Sequence, residues 1–446
     1  MKKALSILVT VLMLAGIFAA CTSDSNQSST AGTSSEGGTS SAASDISSKP
    51  AANGDKIQIK VTRWGEIEQN DAEQMMVDKF NSENDEIEIV YDVVPGDGYG
   101  DRLTTSFSSG EGYDVFASGE GDFYKWVGTN LAAPMDDLMA ADGDWTKDFN
   151  ESILEMGKIQ GKQYYIVRDY NPICLWYNKD VFDKNNVDYP TNDWTWDDLE
   201  AAAKQLTVKG ADGAFESFGF NAQSWEYASL SYLQSNGIDI MNEDGTEVEG
   251  YLNSPEMAAA IEKYIAFSDG DDRISPSQAD FDAFGDASAM LINGNLAMTL
   301  NGGWAKTSME ESGVNYGTAV TPGNHESYLC ASAYAISTRC QNPEAAWEVI
   351  KALTGAECTE LRTQYTAALP TIDSQLDVLK DSLGEKNMGL IDQLEYAVQP
   401  AGVRSELGNP AVTAFKEAYE RILYKDGETQ TILDEAVTTA KEGSAG

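Results

Sequence analysis

The chain holds a single histidine, His325, and five cysteines in 446 residues. No two cysteines have Cys-x-x-Cys spacing, so a zinc site of thiolate and imidazole ligands has too few donors. Gly-x-Ser-x-Gly, His-Glu-x-x-His and a phosphate-cradling Gly-Lys loop are all missing, which removes three common signatures of catalysis. A Ser-His pair would have to use His325, which stands in a Pro-Gly-Asn-His turn with no partner indicated. Positive charge is also scarce, with 30 Lys and Arg against 72 Asp and Glu and a formal net charge of −42. Such a surface repels phosphate backbones and anionic lipid, which excludes nucleic acid as a partner. Solubility is the plain meaning of the acidity, and it names no ligand.

What is present begins with a basic Met1-Lys2-Lys3, followed by uncharged apolar residues 4–20. That run is short for a spanning helix, which needs about 20 residues. It ends in Phe18-Ala19-Ala20-Cys21, which resembles the lipobox of bacterial lipoproteins, with Phe18 where leucine is usual. The resemblance implies a signal peptide over 1–20 and a lipid on Cys21. Residues 21–55 are rich in Ser, Thr, Gly and Ala without an apolar period, which predicts a flexible tether. Cys174, Cys330, Cys340 and Cys358 remain; three full pairings exist, and isolated apolar cysteines such as Cys174 and Cys330 read as core.

The length exceeds one ordinary core, so two domains or one elaborated domain are expected. Ile57, Ile59 and Val61 alternate with polar residues as a strand ending at Thr62-Arg63-Trp64-Gly65-Glu66. A helix with Ala72, Met75, Met76 and Phe80 on one face follows, then a second strand through Ile87, Ile89, Tyr91 and Val93. Asp114 to Ala117 predicts a short buried strand leading into Ser118-Gly119-Glu120-Gly121. Strand and helix in alternation predict an α/β domain with a mostly parallel sheet. Ligands of such sheets lie beyond the carboxyl ends of the strands, which points to Trp64, Glu66, Ser118 and Glu120.

Residues 168–206 form the central stretch. Arg168-Asp169-Tyr170-Asn171 leads into an apolar run that predicts a buried strand, broken by Asn178-Lys179-Asp180. A helix follows, with Thr195 and Asp198 as capping box, an inward stripe of Leu199, Ala202, Ala203 and Leu206, and Trp194 and Trp196 packing at its start. Phe218 to Asn221 predicts a strand running toward Trp225. Residues 242–246 read as a hairpin turn, and Ile240 and Tyr251 stand where a calcium loop would need its first and last ligands. Ser254-Pro255 opens a helix. Leu296 to Leu300 predicts a buried strand, after which Gly302-Gly303 turns the backbone and presents Trp304. Two helices, over 411–424 and 431–441, close the chain with Gly427 as a cap between them.

Tyr177-Asn178-Lys179-Asp180, the segment from Phe284 to Trp304, and Ala335 to Ser337 with Asn342 to Trp347 occur in an order that resembles the bacterial extracellular solute-binding proteins of sugar ABC transporters. The resemblance runs from about Ile57 to Thr439. It implies an α/β, two-lobed periplasmic-binding-protein-like fold (type II), each lobe a mostly parallel sheet flanked by helices. The lobes would comprise 56–168 with 321–366, and 172–318 with 370–446. Three crossings would join them, near Asp169 to Asn171, at 315–323 and at Leu369-Pro370-Thr371. Trp304 would take the family's sugar-stacking place, and the loop carrying Arg404 would reach the cleft. Flat faces for a sugar would come from Trp64, Tyr170, Trp225 and Trp304. Polar partners for its hydroxyls would come from Glu66, Glu120, Asp169, Asn171 and Arg404, with Ser118 beside them. The family implies a carbohydrate ligand, permease subunits with their ATPase, a lipid-anchored monomer on the outer face of the cytoplasmic membrane, and neither cofactor nor metal. Two other classes stay open on the residues: a secreted carbohydrate-active hydrolase using a carboxylate pair, and a lipoprotein that senses sugar without transporting it.

Overall fold

The computed structural model describes residues 56–444 apart from 66–70, 97, 223–224 and 366–367. The expected signal peptide, Cys21, the tether and Glu66 therefore lie outside the described residues.

Two sheets carry the architecture. The first has seven strands, ordered Leu369–Pro370, Ile166–Pro172, Ser327–Ile336, Val115–Gly119, Ile57–Trp64 and Ile87–Val94, with Ala397–Val398 beside the start of Ser327–Ile336. The second has five, ordered Tyr316–Ala319, Cys174–Asn178, Leu296–Asn301, Phe215–Asn221 and Val208–Lys209. Helices flank both, and the class is α/β as expected. Within it the sheets are mixed where mostly parallel ones were expected. Ile57–Trp64 runs parallel to both its neighbours, Leu296–Asn301 to Phe215–Asn221, and Ser327–Ile336 to Ala397–Val398, while the remaining pairs are antiparallel. A local strand–helix–strand unit forces parallel neighbours. Strands that return from the other sheet escape that constraint, and Ser327–Ile336 is one of them.

The chain leaves the first sheet at Ile173, between Ile166–Pro172 and Cys174–Asn178, and comes back between Tyr316–Ala319 and Ser327–Ile336. Around the expected third passage, Leu369 and Pro370 pair with Tyr170 and Asp169 of the first sheet. Leu369–Pro370 belongs to the first sheet, and the helix Asp373–Leu383 after it stays there: Asp373 N–H donates to Asp148 O at 2.9 Å, and Leu379 and Leu383 pack in one core with Phe123 and Tyr165. Proline and threonine after a strand mark a turn, and the bonds of Asp373 to Asp148 and of Gln375 to Ala356 O hold the start of the following helix beside the first sheet.

Local chemistry explains the elements that hold the site. Asp71 caps the helix Ala72–Glu83, its carboxylate accepting from the backbone of Glu73 and Gln74. Asn178 ends its strand and caps Lys179–Asn185 through Asp180 and Val181 N–H, while its amide donates to Leu291 O at 2.7 Å. The Thr195–Asp198 capping box is present, and Leu199, Ala202, Ala203 and Leu206 are all buried. Trp196 is buried, with its indole N–H on Ser235 Oγ at 2.9 Å. Two turns depart from expectation. No strands flank 242–246; Asn242 Oδ1 instead collects the N–H groups of Thr246 and Glu247. The helix Gly408–Leu423 ends at Tyr424, and Lys425 takes the left-handed conformation (φ 58°), so Gly427 stands past the cap. Cys174, Cys330, Cys340 and Cys358 are free thiols, the first two in cores as their apolar settings predict.

Candidate functional site

Strand direction brings the candidate residues together. Ile57–Trp64 and Val115–Gly119 are parallel, so Trp64 and Glu120 emerge at the same edge of the first sheet. Ser327–Ile336 runs against Val115–Gly119 with Ser332 opposite Gly119, which places Tyr328 and Ala331 beside Glu120. Ile166–Pro172 runs against Ser327–Ile336, with Asp169 opposite Ser332 and Asn171 opposite Cys330. In the second sheet Phe215–Asn221 and Leu296–Asn301 are parallel, so Trp225 and Trp304 follow the same edge. Cys174–Asn178 continues from the first sheet with Cys174 opposite Asn301. The carboxyl ends of both sheets thus meet where the chain crosses at Ile173. Crevices of this kind bind ligands in α/β proteins.

The aromatic side of the site is Trp304 with Trp225. Trp304 is 40% exposed, high for an indole, and its ring stands edge-on to that of Trp225 (5.9 Å between centroids, 77°). Trp225 touches Tyr227 (4.9 Å), which stacks on Tyr328 (4.9 Å, 24°). Trp64 is half-buried, edge-on to Tyr99 at 5.5 Å and 5.7 Å from the Arg168 guanidinium. Tyr170 departs from expectation: it is 3% exposed, packed in a core with Leu329 and Leu369, and presents no open face.

On the polar side, Glu120 is buried. Its oxygens accept from Tyr328 Oη at 3.2 Å, from Ala331 N–H at 3.0 Å and from Tyr227. Burial pushes its carboxyl up from 4.5 to about 7, against the pull of those donors. The Glu120 charge raises the Tyr227 hydroxyl and, after burial, that of Tyr328, so both stay protonated and donate. Ser118 is buried and donates to Gly119 O at 3.0 Å. Asp169 lies 3.0 Å from Arg168 Nε, and Arg168 also donates to Ser332 Oγ at 2.8 Å. Asn171 is 4% exposed, its Oδ1 accepting from Gly303 N–H at 3.2 Å. Arg404 is committed elsewhere: Nη1 pairs with Asp239 at 2.8 Å, and Nε and Nη2 donate to Gln399 O. A cavity of about 310 Å³ between the helices Ala72–Glu83 and Pro343–Thr354 is lined by none of these residues.

Comparison with known proteins fits this geometry. Residues 64–358 match the family model of the bacterial extracellular solute-binding proteins. The chain belongs to that family. A Brucella abortus protein named as a binding protein is 27% identical over 301 residues, 65% of this chain and 70% of that one. An ABC substrate-binding protein of Listeria monocytogenes in complex with cycloalternan has a TM-score of 0.76 at 25% identity, over 87% of this chain and 99% of that one. The maltose/maltodextrin-binding domain MalE of Bdellovibrio bacteriovorus, bound to maltotriose, shares the fold with a TM-score of 0.74 at 18% identity, over 86% and 99% of the two chains. The two-lobed fold of periplasmic sugar-binding proteins is therefore the fold of this solute-binding protein.

Two members of its site escaped sequence reasoning. Tyr328 is hidden inside a ten-residue strand that is buried throughout, and nothing local marks its hydroxyl. Tyr227 follows Trp225 by two residues at the start of Glu226–Ser235; an aromatic pair at a helix start, just after a strand end, is a signal that could have found it.

Proposed function

We propose that this solute-binding protein captures a carbohydrate, from a monosaccharide to an oligosaccharide, in the crevice at Ile173 and delivers it to the permease of an ABC importer. It binds and releases the sugar without converting it. A lipid on Cys21 holds it, as a monomer, at the outer face of the cytoplasmic membrane, and the 21–55 tether gives it reach. The observation that carries the reading is the exposed Trp304 edge-on to Trp225 at the carboxyl ends of two parallel strands. A sugar presents apolar C–H faces and hydroxyls, and it needs flat rings together with satisfied polar groups. Trp64, Trp225 and Trp304 would supply faces, and Glu120 and Asp169 would supply polar groups beside them, with Glu66 added on the sequence alone. Sugars bound to the Listeria and Bdellovibrio proteins support the same class of ligand. Contact with both lobes would favour a closed form by hinge motion at the crossings.

A thermal-shift screen of the full chain against mono- and oligosaccharides, with amino acids and polyamines as controls, tests the reading. A sugar at 100 times its Kd stabilises by about 2.7 kcal/mol. A shift with a saccharide is the expected result. A shift with an amino acid or polyamine alone would replace the ligand class, and glycoside turnover abolished by Glu120→Gln would replace the binding function with a hydrolytic one.

A further inference from the structure

Asn171 lies at the heart of the candidate site, yet its side chain faces away from solvent. It is 4% exposed, and its Oδ1 accepts from Gly303 N–H at 3.2 Å, a bond between residues 132 apart in sequence. Gly303 begins the single turn Gly303–Ala305, whose middle residue is Trp304. The indole folds back over Gly302: a Cβ on that glycine would lie 2.3 Å from the ring's Cζ3 and 2.4 Å from Cη2. Asn171 stands opposite Cys330 in the strand pair that carries the amide, and Ala331 N–H on that neighbouring strand donates to the Glu120 carboxylate at 3.0 Å. Trp304 thus has a bare backbone beneath its ring, Trp225 at its edge and Asn171 holding its turn.

From this arrangement we propose that Asn171 is a positioning residue for Trp304 and makes no ligand contact of its own. It sets the ring on which the proposed sugar stacks, so this inference rests on the sugar-binding reading above. An exposed tryptophan left to rotate loses rotamer freedom when it binds, whereas one already held does not. The bond also crosses from the first sheet to the second, so it ties the ring to both lobes at the point where the chain passes between them.

The test uses the full chain and two readouts. Edge-on indoles at 5.9 Å couple, so the Trp225–Trp304 pair contributes an exciton couplet to the circular dichroism spectrum, identified as the signal that Trp304→Phe removes. Asn171→Leu keeps the branched outline and loses the acceptor; Asn171→Asp keeps an acceptor oxygen. We expect the couplet to vanish in Asn171→Leu and to remain in Asn171→Asp. Calorimetric titration with maltotriose is expected to give a Kd about tenfold higher for the leucine variant and near wild type for the aspartate. If Asn171→Leu fails to fold, Asn171→Ser, one atom shorter, replaces it. A couplet that survives loss of the acceptor overturns the proposal, as does a lost couplet with unchanged maltotriose affinity. If the couplet follows the acceptor and the wild type binds no maltotriose or other saccharide, the positioning role stands and the sugar reading falls.

Discussion

Arg168 donates to the buried carboxylate of Glu73 at 2.6 Å, joining the strand that leads into the crossing to the first turn of the helix Ala72–Glu83. Arg362 reaches the same oxygen at 3.0 Å and Arg63 the other at 2.8 Å, while Arg63 also pairs with the capping residue Asp71. Burial alone would raise this carboxyl, but Arg168, Arg362 and Arg63 together hold it well below its ordinary 4.5. Three guanidiniums lean on one acid. Glu73→Gln leaves them buried without their shared counter-charge and should destabilise the protein by about 3–5 kcal/mol, read from urea unfolding. A group with a lowered pKa contributes stability that is present above 4.5 and lost as pH falls through the folded value. The difference between wild type and Glu73→Gln should therefore be full at pH 6 and shrink on strong acidification.

Glu120 works in the opposite sense. Its carboxyl is raised by burial to about 7, so the folded state holds a proton that the unfolded chain releases near 4.5. The contribution is complete below about 4.5 and is lost as pH rises through about 7. Integrated over that window, it amounts to about 3 kcal/mol. Glu120→Gln does not titrate, and its amide can still accept from Ala331 N–H and donate to Tyr328 Oη. The stability of wild type relative to this variant should fall between pH 5 and 8, and a flat difference would show that Glu120 is already ionised at pH 5.

The placement of several candidate residues at strand ends was legible in the sequence, and the reasons differ by residue. The place of Trp304 was legible because Gly302-Gly303 turns the backbone at the end of an apolar strand; a core indole was the alternative reading, and the ring is 40% exposed. The positions of Trp64, Ser118 and Glu120 at strand ends followed from the strand pattern, whereas the burial of Ser118 and Glu120 did not. Tyr170 was not legible: in Ile166–Pro172 a one-residue shift exchanges crevice and core, and pairing with Ala331 and Leu369, far along the chain, fixes which face it takes. Arg404 failed for a related reason, since its partners Asp239 and Gln399 meet only in the folded chain. The strand-and-helix pattern gave the α/β class, but not the antiparallel strands that return from the other sheet.

Gly219 offers a test of packing in the second sheet. A Cβ there would lie 2.1 Å from Ala203 O and 2.3 Å from Ala203 Cα, backbone atoms of the helix Trp196–Leu206. No side-chain rotation relieves that collision, so the helix must lift from the strand. Gly219→Ala should destabilise by about 1–3 kcal/mol despite its gain in β propensity. Gly128→Ala, which meets nothing within 4 Å, is the control and should be close to neutral.

Trp196 and Trp304 separate stability from binding. Trp196 is 4% exposed, bonded to Ser235 and wedged among Phe220 and Tyr232, so Trp196→Ala should lose about 3–5 kcal/mol of folding free energy. Trp304 is 40% exposed and rests on Gly302, so its removal empties little of the core. Trp304→Ala should leave the melting temperature of the free protein within a few degrees of wild type, yet weaken the bound saccharide by about 1–2 kcal/mol, a factor of roughly 5 to 30 in Kd. Melting curves with and without saccharide measure both quantities on one sample. If Trp304→Ala lowers the ligand-free melt as much as Trp196→Ala does, the ring is a core element and the stacking role fails. If the ligand-free melt is unchanged and the saccharide shift shrinks, the exposed indole is the face on which the sugar rests.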